Sequence, residues 1–344
     1  MLRAELYRYR LPLRSPLYLN GDWAKTREGL ILRLSDEQGE GLGEAAPLPG
    51  FSPETIVQAA ESLQALALAN TRLLTWNVDA MDARADASVC ASARWAFDCA
   101  RQELLAAQPM YGKKLIETCH LLQPDEQIDA VIRNLKTKPV RVLKVKVGRA
   151  SLDEDIDLLN RLFIALPESV FRLDANRAWT LSQATKFCQS VDWTRIEFLE
   201  EPCQTLADSL RLNCVTPVKL ALDESLREPH NALADSEIAA FIVKPGIHPG
   251  GWRGFQQVLA EAKSRGAKVV ISSSYQSSLG ISQLAALATT YTPESMPGLD
   301  TLSVFSHDVI RPCVMMGEVP RPLVSLAELM PLWTIQSGKV LTAG

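Results

Sequence analysis

Leu2, Ala4 and Leu6 alternate with Arg3, Glu5 and Tyr7, and the same period of two returns where Leu30, Leu32 and Leu34 alternate with Arg33 and Ser35. That is the pattern of antiparallel strands with one buried and one polar face. The stretch DEQG at 36–39 supplies a turn, and GLGE at 41–44 begins a return strand. Between the first two strands, NGDWAKTRE at 20–28 is polar and contains glycine, so it reads as a solvated hairpin loop. Ser52 with Pro53 behind it predicts a helix start, and Ile56, Ala60 and Leu63 trace one apolar face. A second helix is expected over 89–107, where Val89, Ala93, Ala96, Ala100 and Leu104 recur at helical spacing. Residues 1–105 therefore read as an α+β domain.

Beyond residue 115 the texture changes. Strand-like runs at 140–147, 170–174, 195–200, 218–222, 239–243 and 268–272 alternate with helical segments such as 152–166, 181–191 and 254–265. Weaker strands are expected near 116–122 and 299–302. Eight such repeats predict an α/β fold, a TIM-type (β/α) barrel over 106–305. No G-x-G-x-x-G follows any strand, which weakens a nucleotide-binding reading. Residues 306–344 lack this texture and are expected to return to the N-terminal domain.

Composition narrows the function classes. The chain of 344 residues has 36 Lys+Arg against 40 Asp+Glu, a net charge of −4. It therefore has no basic excess for a nucleic-acid partner. The apolar run at 63–69 falls far short of the roughly 18 residues a membrane span needs, so no membrane partner is expected. The N-terminal MLRAELYRYRLPL has no signal-peptide core, which predicts a cytoplasmic location. Seven cysteines without a C-x-x-C pair read neither as a disulfide framework nor as a zinc site.

Chemistry in a (β/α) barrel sits at the C-terminal strand ends. Here successive strands end in Lys144-Val145-Lys146, Asp174-Ala175-Asn176, Glu200-Glu201, Asp223-Glu224 and Lys244-Pro245. Each has a bland reading taken alone. The alternating lysines suit a solvated antiparallel strand, and a single acid after a strand is commonly a helix cap. The spacings of 26, 23 and 21 residues from Asp174 to Glu200, Asp223 and Lys244 in turn match one strand–helix unit each. That register puts three carboxylates on neighbouring strands at one depth. Such a cluster calls for a cation, and an all-oxygen donor set favours Mg²⁺ or Mn²⁺. His120, His230, His248 and His307 fall on none of these ends, which speaks against zinc or non-haem iron. A lysine flanking the cation can act as a base once burial, the cation and neighbours such as Lys144 or Arg172 lower its pKa.

At these residues the sequence resembles the enolase superfamily, and within it the muconate-lactonizing subgroup. The stretches GEAAPLPGFS at 43–52, RLDANRAW at 172–179, FLEEPC at 198–203, DESLREP at 223–229, Ser272-Ser273-Ser274 and Pro297-Gly298-Leu299-Asp300 narrow the resemblance to the compact proteobacterial o-succinylbenzoate synthase family. The resemblance implies a barrel with a capping domain, and Mg²⁺, with Mn²⁺ as a substitute, on Asp174, Glu200 and Asp223. Lys146 would be the base and then the acid, and Lys244 the cation facing the other side of the substrate ring. Lys144, Arg172, Asn176, Ser272 and Gly298 would contact substrate, and the segment 20–28 would be a lid. The implied reaction is Mg²⁺-dependent syn-dehydration to o-succinylbenzoate in menaquinone synthesis, on a small-molecule substrate and compatible with a monomer. Where this resemblance leads one to expect an acid, the chain carries Gln276. The rival readings are a dipeptide epimerase or N-acylamino acid racemase on the same scaffold, and a catalytically silent barrel. An epimerase is expected to carry Asp-x-Asp where this chain has the single Asp300.

Overall fold

The computed structural model describes residues 2–19, 22–73, 89–106, 116–122, 127–228, 237–310 and 323–342. The chain opens with β1 (Arg3–Leu19), β2 (Asp22–Ser35) and β3 (Glu40–Ala45), paired antiparallel in that order. Ala4, Leu6, Leu30, Leu32 and Leu34 are fully buried beneath α1 (Ile56–Leu73) and α2 (Ala91–Ala106). The opposite face is polar only at its outer end, where Glu5 lies 2.7 Å from Arg3 and 3.4 Å from Arg33. Farther along, Tyr9, Leu11 and Ile31 turn that face into a second apolar layer shared with the barrel. A Cβ on Gly43 would fall 1.8 Å from the Ala96 carbonyl oxygen, and one on Gly41 2.0 Å from that of Ala100. Glycine at both positions is what lets α2 ride directly on β3.

Two local expectations are corrected. Residues 22–28 are not a loop but the first part of β2, in register with β1 through Tyr18↔Trp23, Leu17↔Ala24 and Leu11↔Arg27. Ion pairs from Glu28 to Arg8 (2.5 Å) and Arg10 (3.3 Å) help to hold this part of the ribbon together. Apart from buried Arg27, residues 22–28 are exposed or half-buried, so they carry no apolar alternation to read. Asn20 and Gly21 lie outside the described residues. Likewise α1 starts at Ile56 rather than Pro53. Thr55 is the cap, its hydroxyl accepting from Gln58 N–H (3.3 Å) while its own N–H donates to the Gln58 side chain (2.8 Å). The Ser52 hydroxyl instead accepts from Leu48 N–H (2.9 Å), closing the turn that presents Phe51.

The barrel strands are β4 (His120–Leu121), β5 (Val142–Lys146), β6 (Val170–Asp174), β7 (Ile196–Glu200), β8 (Leu220–Leu222), β9 (Ile238–Val243) and β10 (Lys268–Ile271). They lie side by side in sequence order, all parallel. Helices α3 (Ile128–Thr137), α4 (Leu152–Ala165), α5 (Leu181–Ser190), α6 (Leu206–Val215), α7 (Gly251–Arg265) and α8 (Ser278–Tyr291) intervene. Capping boxes at Ser151/Glu154 and Thr180/Gln183 fix where α4 and α5 begin, each cap contributing about 1 kcal/mol. Leu143, Val145 and Val147 face the helices, so the alternating lysines of β5 point into the barrel. Phe198, Ala221, Ala240, Ile242 and Val270 form a further buried cluster across the neighbouring strands.

The expected strand at 299–302 is not one: Gly298 makes a single bridge to Ser272, and Leu302–Val304 is a 3₁₀ turn. Pro297 has no N–H to give a ladder, and the adjacent Gly298 further weakens strand formation. These residues still join the sheet's two edges. Gly298 N–H donates to the Ile271 carbonyl (2.9 Å), Ser273 N–H to the Gly298 carbonyl (3.0 Å), and Cys119 N–H to the Pro297 carbonyl (2.8 Å). Finally β11 (Met330–Gln336) pairs with the free edge of β1, and β12 (Lys339–Thr342) lies outside it. Residues 311–322 lie outside the described residues. Among the described residues no helix is long and apolar enough to cross a membrane.

Candidate active site at the mouth of the barrel

Strand register assembles the site. Lys146 pairs with Asp174 and Asp174 with Glu200, while Asp223, Lys244 and Ser272 each follow the last residue of their own strand. The Lys144 ammonium donates to Glu200 (2.6 Å) and lies 2.8 Å from Asp174; that of Lys146 donates to Asp174 (2.6 Å) and to the Asn176 side-chain oxygen (2.7 Å). Lys244 donates to Asp223 and lies 5.9 Å from the centre of the Phe51 ring, which the capping domain supplies. All three carboxylates are at least 95% buried.

Electrostatics separates these groups. Burial would lower the Lys144 ammonium, yet Asp174 and Glu200 outweigh it and raise its pKa. For Lys146 burial wins, with Lys144 adding to it, and the pKa is lowered despite Asp174. Lys244 is raised against burial, chiefly by Asp223. Burial and the negative charge of Asp174 push the Glu200 carboxyl up to about 8.

As the side chains stand, no three His, Cys, Asp or Glu among the described residues are grouped tightly enough to hold a metal ion. The lysine ammoniums take up the carboxylate oxygens instead. One oxygen of Glu200 is nevertheless buried with no hydrogen-bond partner, beside two more carboxylates on adjacent strands. That orphaned acceptor and the all-oxygen donor set fit a hard divalent cation.

Backbone at the strand ends is correspondingly specialised. Asn176, Arg177 and Glu201 all take left-handed φ angles (45°, 60° and 42°). Buried Glu201 accepts from Asp223 N–H (2.9 Å), Ser225 N–H (2.8 Å), the Ser225 hydroxyl (2.8 Å) and Arg177 (2.9 Å). It thereby sets the loop that carries Asp223.

A cavity of about 140 Å³ opens above this arc. Of the residues expected from the sequence, Lys144, Lys146, Asp174, Asn176, Lys244, Ser272 and Gly298 line it, while Glu200 and Asp223 sit behind, in the ion pairs. Arg172 does not reach it. Its buried guanidinium bonds to Glu197 (2.7 Å) and the Met296 carbonyl (2.6 Å) and lies over the Phe198 ring, beneath the site. Arg172 precedes Asp174 by two residues on β6, so the same parity put it in the barrel but too deep. The sequence reading did not single out Arg149, Tyr275, or Leu19, Leu48 and Phe51 of the capping domain, all of which line the cavity. Arg149 lies three residues past Lys146, and Leu48 and Phe51 fall inside the GEAAPLPGFS stretch; those positions were the available signals. Gln276 is buried and accepts from Ser274 N–H (2.7 Å), so it shapes the loop rather than the cavity.

The capping domain also fixes the wall after β10. Buried Arg27 donates to the carbonyls of Ala46 (2.5 Å) and Pro47 (2.9 Å) on its own side, and of Tyr275 (3.1 Å) and Ser274 (3.3 Å) across the interface.

Residues 1–104 match the family model described as MenC, N-terminal domain, and residues 127–314 match the enolase C-terminal domain-like model. An o-succinylbenzoate synthase of Klebsiella pneumoniae (strain 342) is 36% identical over 335 residues, 96% of this chain and 99% of that one. Another, of Yersinia pseudotuberculosis serotype I (strain IP32953), is 37% identical over 337 residues, 97% and 99% of the two chains. Among solved structures, the o-succinylbenzoate synthase of Thermosynechococcus elongatus BP-1, complexed with Mg in its active site, is 25% identical with a TM-score of 0.70, covering 87% of this chain and 92% of that one. The L-Ala-D/L-Glu epimerase of Bacillus subtilis shares the fold at 20% identity and a TM-score of 0.73, covering 89% and 91%.

Proposed function

The chain belongs to the o-succinylbenzoate synthase family of the enolase superfamily, and from that membership we propose that it catalyses syn-dehydration of 2-succinyl-6-hydroxy-2,4-cyclohexadiene-1-carboxylate to o-succinylbenzoate, a cytoplasmic step of menaquinone synthesis. The observation that carries this reading is the arc of Lys146, Asp174, Glu200, Asp223 and Lys244 on consecutive strand ends, with a lysine on either flank. Asp174, Glu200 and Asp223 would hold Mg²⁺, with Mn²⁺ able to replace it. When bound, the cation supplies positive charge against the substrate's ring carboxylate as that group gains electron density.

Lys146 takes the proton α to that carboxylate. The C–H bond breaks, the proton moves to Nζ, and the electron pair enters the enediolate. Its lowered pKa suits a base, and Asp174 and Asn176 fix its position. The same ammonium then protonates the hydroxyl on the neighbouring carbon, which departs as water from the same face. Aromatisation provides the driving force. Lys244, kept charged by Asp223, stabilises the enediolate from the opposite side. Lys144 holds Asp174 and Glu200 together, Ser272 and Gly298 form the wall beside the succinyl chain, and Arg172 supports the site from beneath.

An epimerase needs a second acid near residue 300 to receive an ammonium. Asp300 stands alone there and is engaged by His120 Nδ1 (2.7 Å) and Leu121 N–H (3.2 Å). The deciding experiment is incubation with the cyclohexadiene and Mg²⁺, following loss of diene absorbance. Turnover that stops on chelation supports the reading, and no turnover overturns it.

A further inference from the structure

Four cationic side chains line the cavity, and three of them are committed: Lys144 and Lys146 to Asp174 and Glu200, Lys244 to Asp223. The fourth, Arg149, follows β5 in the loop above the site and is exposed. Among the described residues its guanidinium makes no hydrogen bond and no ion pair. No acid of the wall is left to neutralise it, since Asp174 is taken by the lysines and Asp300 by His120.

Tyr275 stands on the other side of the cavity mouth, in the loop after β10. It holds a left-handed φ of 58°, with Arg27 on its carbonyl (3.1 Å) and its N–H on the Ser273 hydroxyl (3.0 Å). Its ring is partly buried in the same cavity wall that Lys144, Arg149 and Lys244 line. Its hydroxyl, too, has no hydrogen-bond partner among the described residues. The mouth therefore offers a guanidinium fork and a phenolic donor that no group among the described residues uses.

With Lys146 neutral, as its proposed role as the base requires, the floor carries two lysine charges against three carboxylates, and a divalent cation with the ring carboxylate would bring it to balance. A second carboxylate on the ligand finds no net attraction there. We infer that Arg149, with the Tyr275 hydroxyl, is the receptor for the terminal carboxylate of the succinyl chain, an inference that rests on the proposed dehydration. A guanidinium holds a carboxylate through two parallel N–H bonds, which fixes its plane as well as its place. Ser272 and Gly298 then shape the wall along the chain, and charge recognition falls to the rim.

The test compares two ligands on the Mg²⁺-loaded protein by calorimetry: o-succinylbenzoate, and 2-butyrylbenzoate, which keeps the ring carboxylate and the keto chain but lacks the terminal carboxylate. The wild type should prefer the first by about 10- to 100-fold, the value of one charge-assisted hydrogen-bonded contact. Arg149→Leu should erase most of that preference by weakening only the first ligand, and Arg149→Lys should restore part of it. In turnover, Arg149→Leu should raise KM by a similar factor while kcat falls less than about threefold. Because Arg149 is exposed, the variant should keep the wild-type circular dichroism spectrum. An unchanged preference in Arg149→Leu, or equal weakening of both ligands, would overturn the inference while wild-type dehydration still upheld the reaction. A wild type that neither dehydrates the diene nor binds o-succinylbenzoate would overturn both.

Discussion

Glu44 of the capping domain closes on Ser277 of the barrel: one carboxylate oxygen accepts the Ser277 N–H (2.8 Å) and the other its hydroxyl (2.6 Å). The same carboxylate takes the Gly280 N–H (2.7 Å) and the Tyr9 hydroxyl (2.5 Å), so a residue of β3 caps the N-terminus of α8. Burial raises the Glu44 pKa, and the bonds from Ser277 and Tyr9 oppose that rise. Glu44→Ala strands several buried donors at once and should cost about 2–4 kcal/mol in urea unfolding. Glu44→Gln should cost less, because an amide oxygen can still accept at the helix end. A loss within about 0.5 kcal/mol for Glu44→Ala, the range of an ordinary surface change, would mean that this contact does not hold the two domains together.

A divalent cation should stabilise the folded chain, because it relieves the mutual repulsion of Asp174, Glu200 and Asp223. At a hundred times its Kd, Mg²⁺ should add about 2.7 kcal/mol, seen as a rise in Tm. Asp223→Asn should move the Mg²⁺ midpoint to higher concentration by about tenfold or more. A Tm indifferent to Mg²⁺ in the wild type would remove the metal from the site.

Stability should fall as pH drops from 6.5 to 4. Burial lowers the His248 imidazole to about 4, while the unfolded side chain titrates near 6.5. Across that window the unfolded state binds a proton that the folded state refuses, so the stabilisation present above 6.5 is lost as pH approaches 4. The full effect is on the order of 3 kcal/mol. His248→Gln should flatten that part of the urea-derived stability profile, and an unchanged slope would show that other groups carry it.

The β1–β2 ribbon brings Leu19 to the cavity wall and leaves Trp23 exposed beside it. We expect this tip to act as a lid. Replacing residues 18–23 with two glycines should lower kcat/KM on the order of 10²-fold by admitting water and loosening the substrate, with Mg²⁺ affinity retained. Unchanged kinetics in a folded variant would make the ribbon a bystander.

The arc of lysines and carboxylates was legible in the sequence because the strand period and the repeat length together fix which residues share a depth. Lys144 and Lys146 looked equally like a solvated strand until parallel pairing on both sides put Leu143 and Val145 against helices. Parity could not separate Arg172 from Asp174, since both point inward and only depth distinguishes them. The ribbon at 22–28 escaped because, with every residue but Arg27 exposed or half-buried, it carries no apolar alternation. Arg27 and Glu44 escaped for a different reason: their partners lie 247–248 and 233–236 residues away, and no local pattern marks a contact between domains.

The most direct test separates the two lysines by single-turnover dehydration of the cyclohexadiene in Mg²⁺, with circular dichroism confirming that each variant folds. Lys146→Ala removes the proposed proton carrier and should fall to near background. Lys244→Ala loses one charge contact to the enediolate and should fall by about 10²–10³-fold while remaining measurable. Wild-type turnover in Lys146→Ala, or a dead Lys244→Ala beside an active Lys146→Ala, would contradict a single base that also acts as the acid.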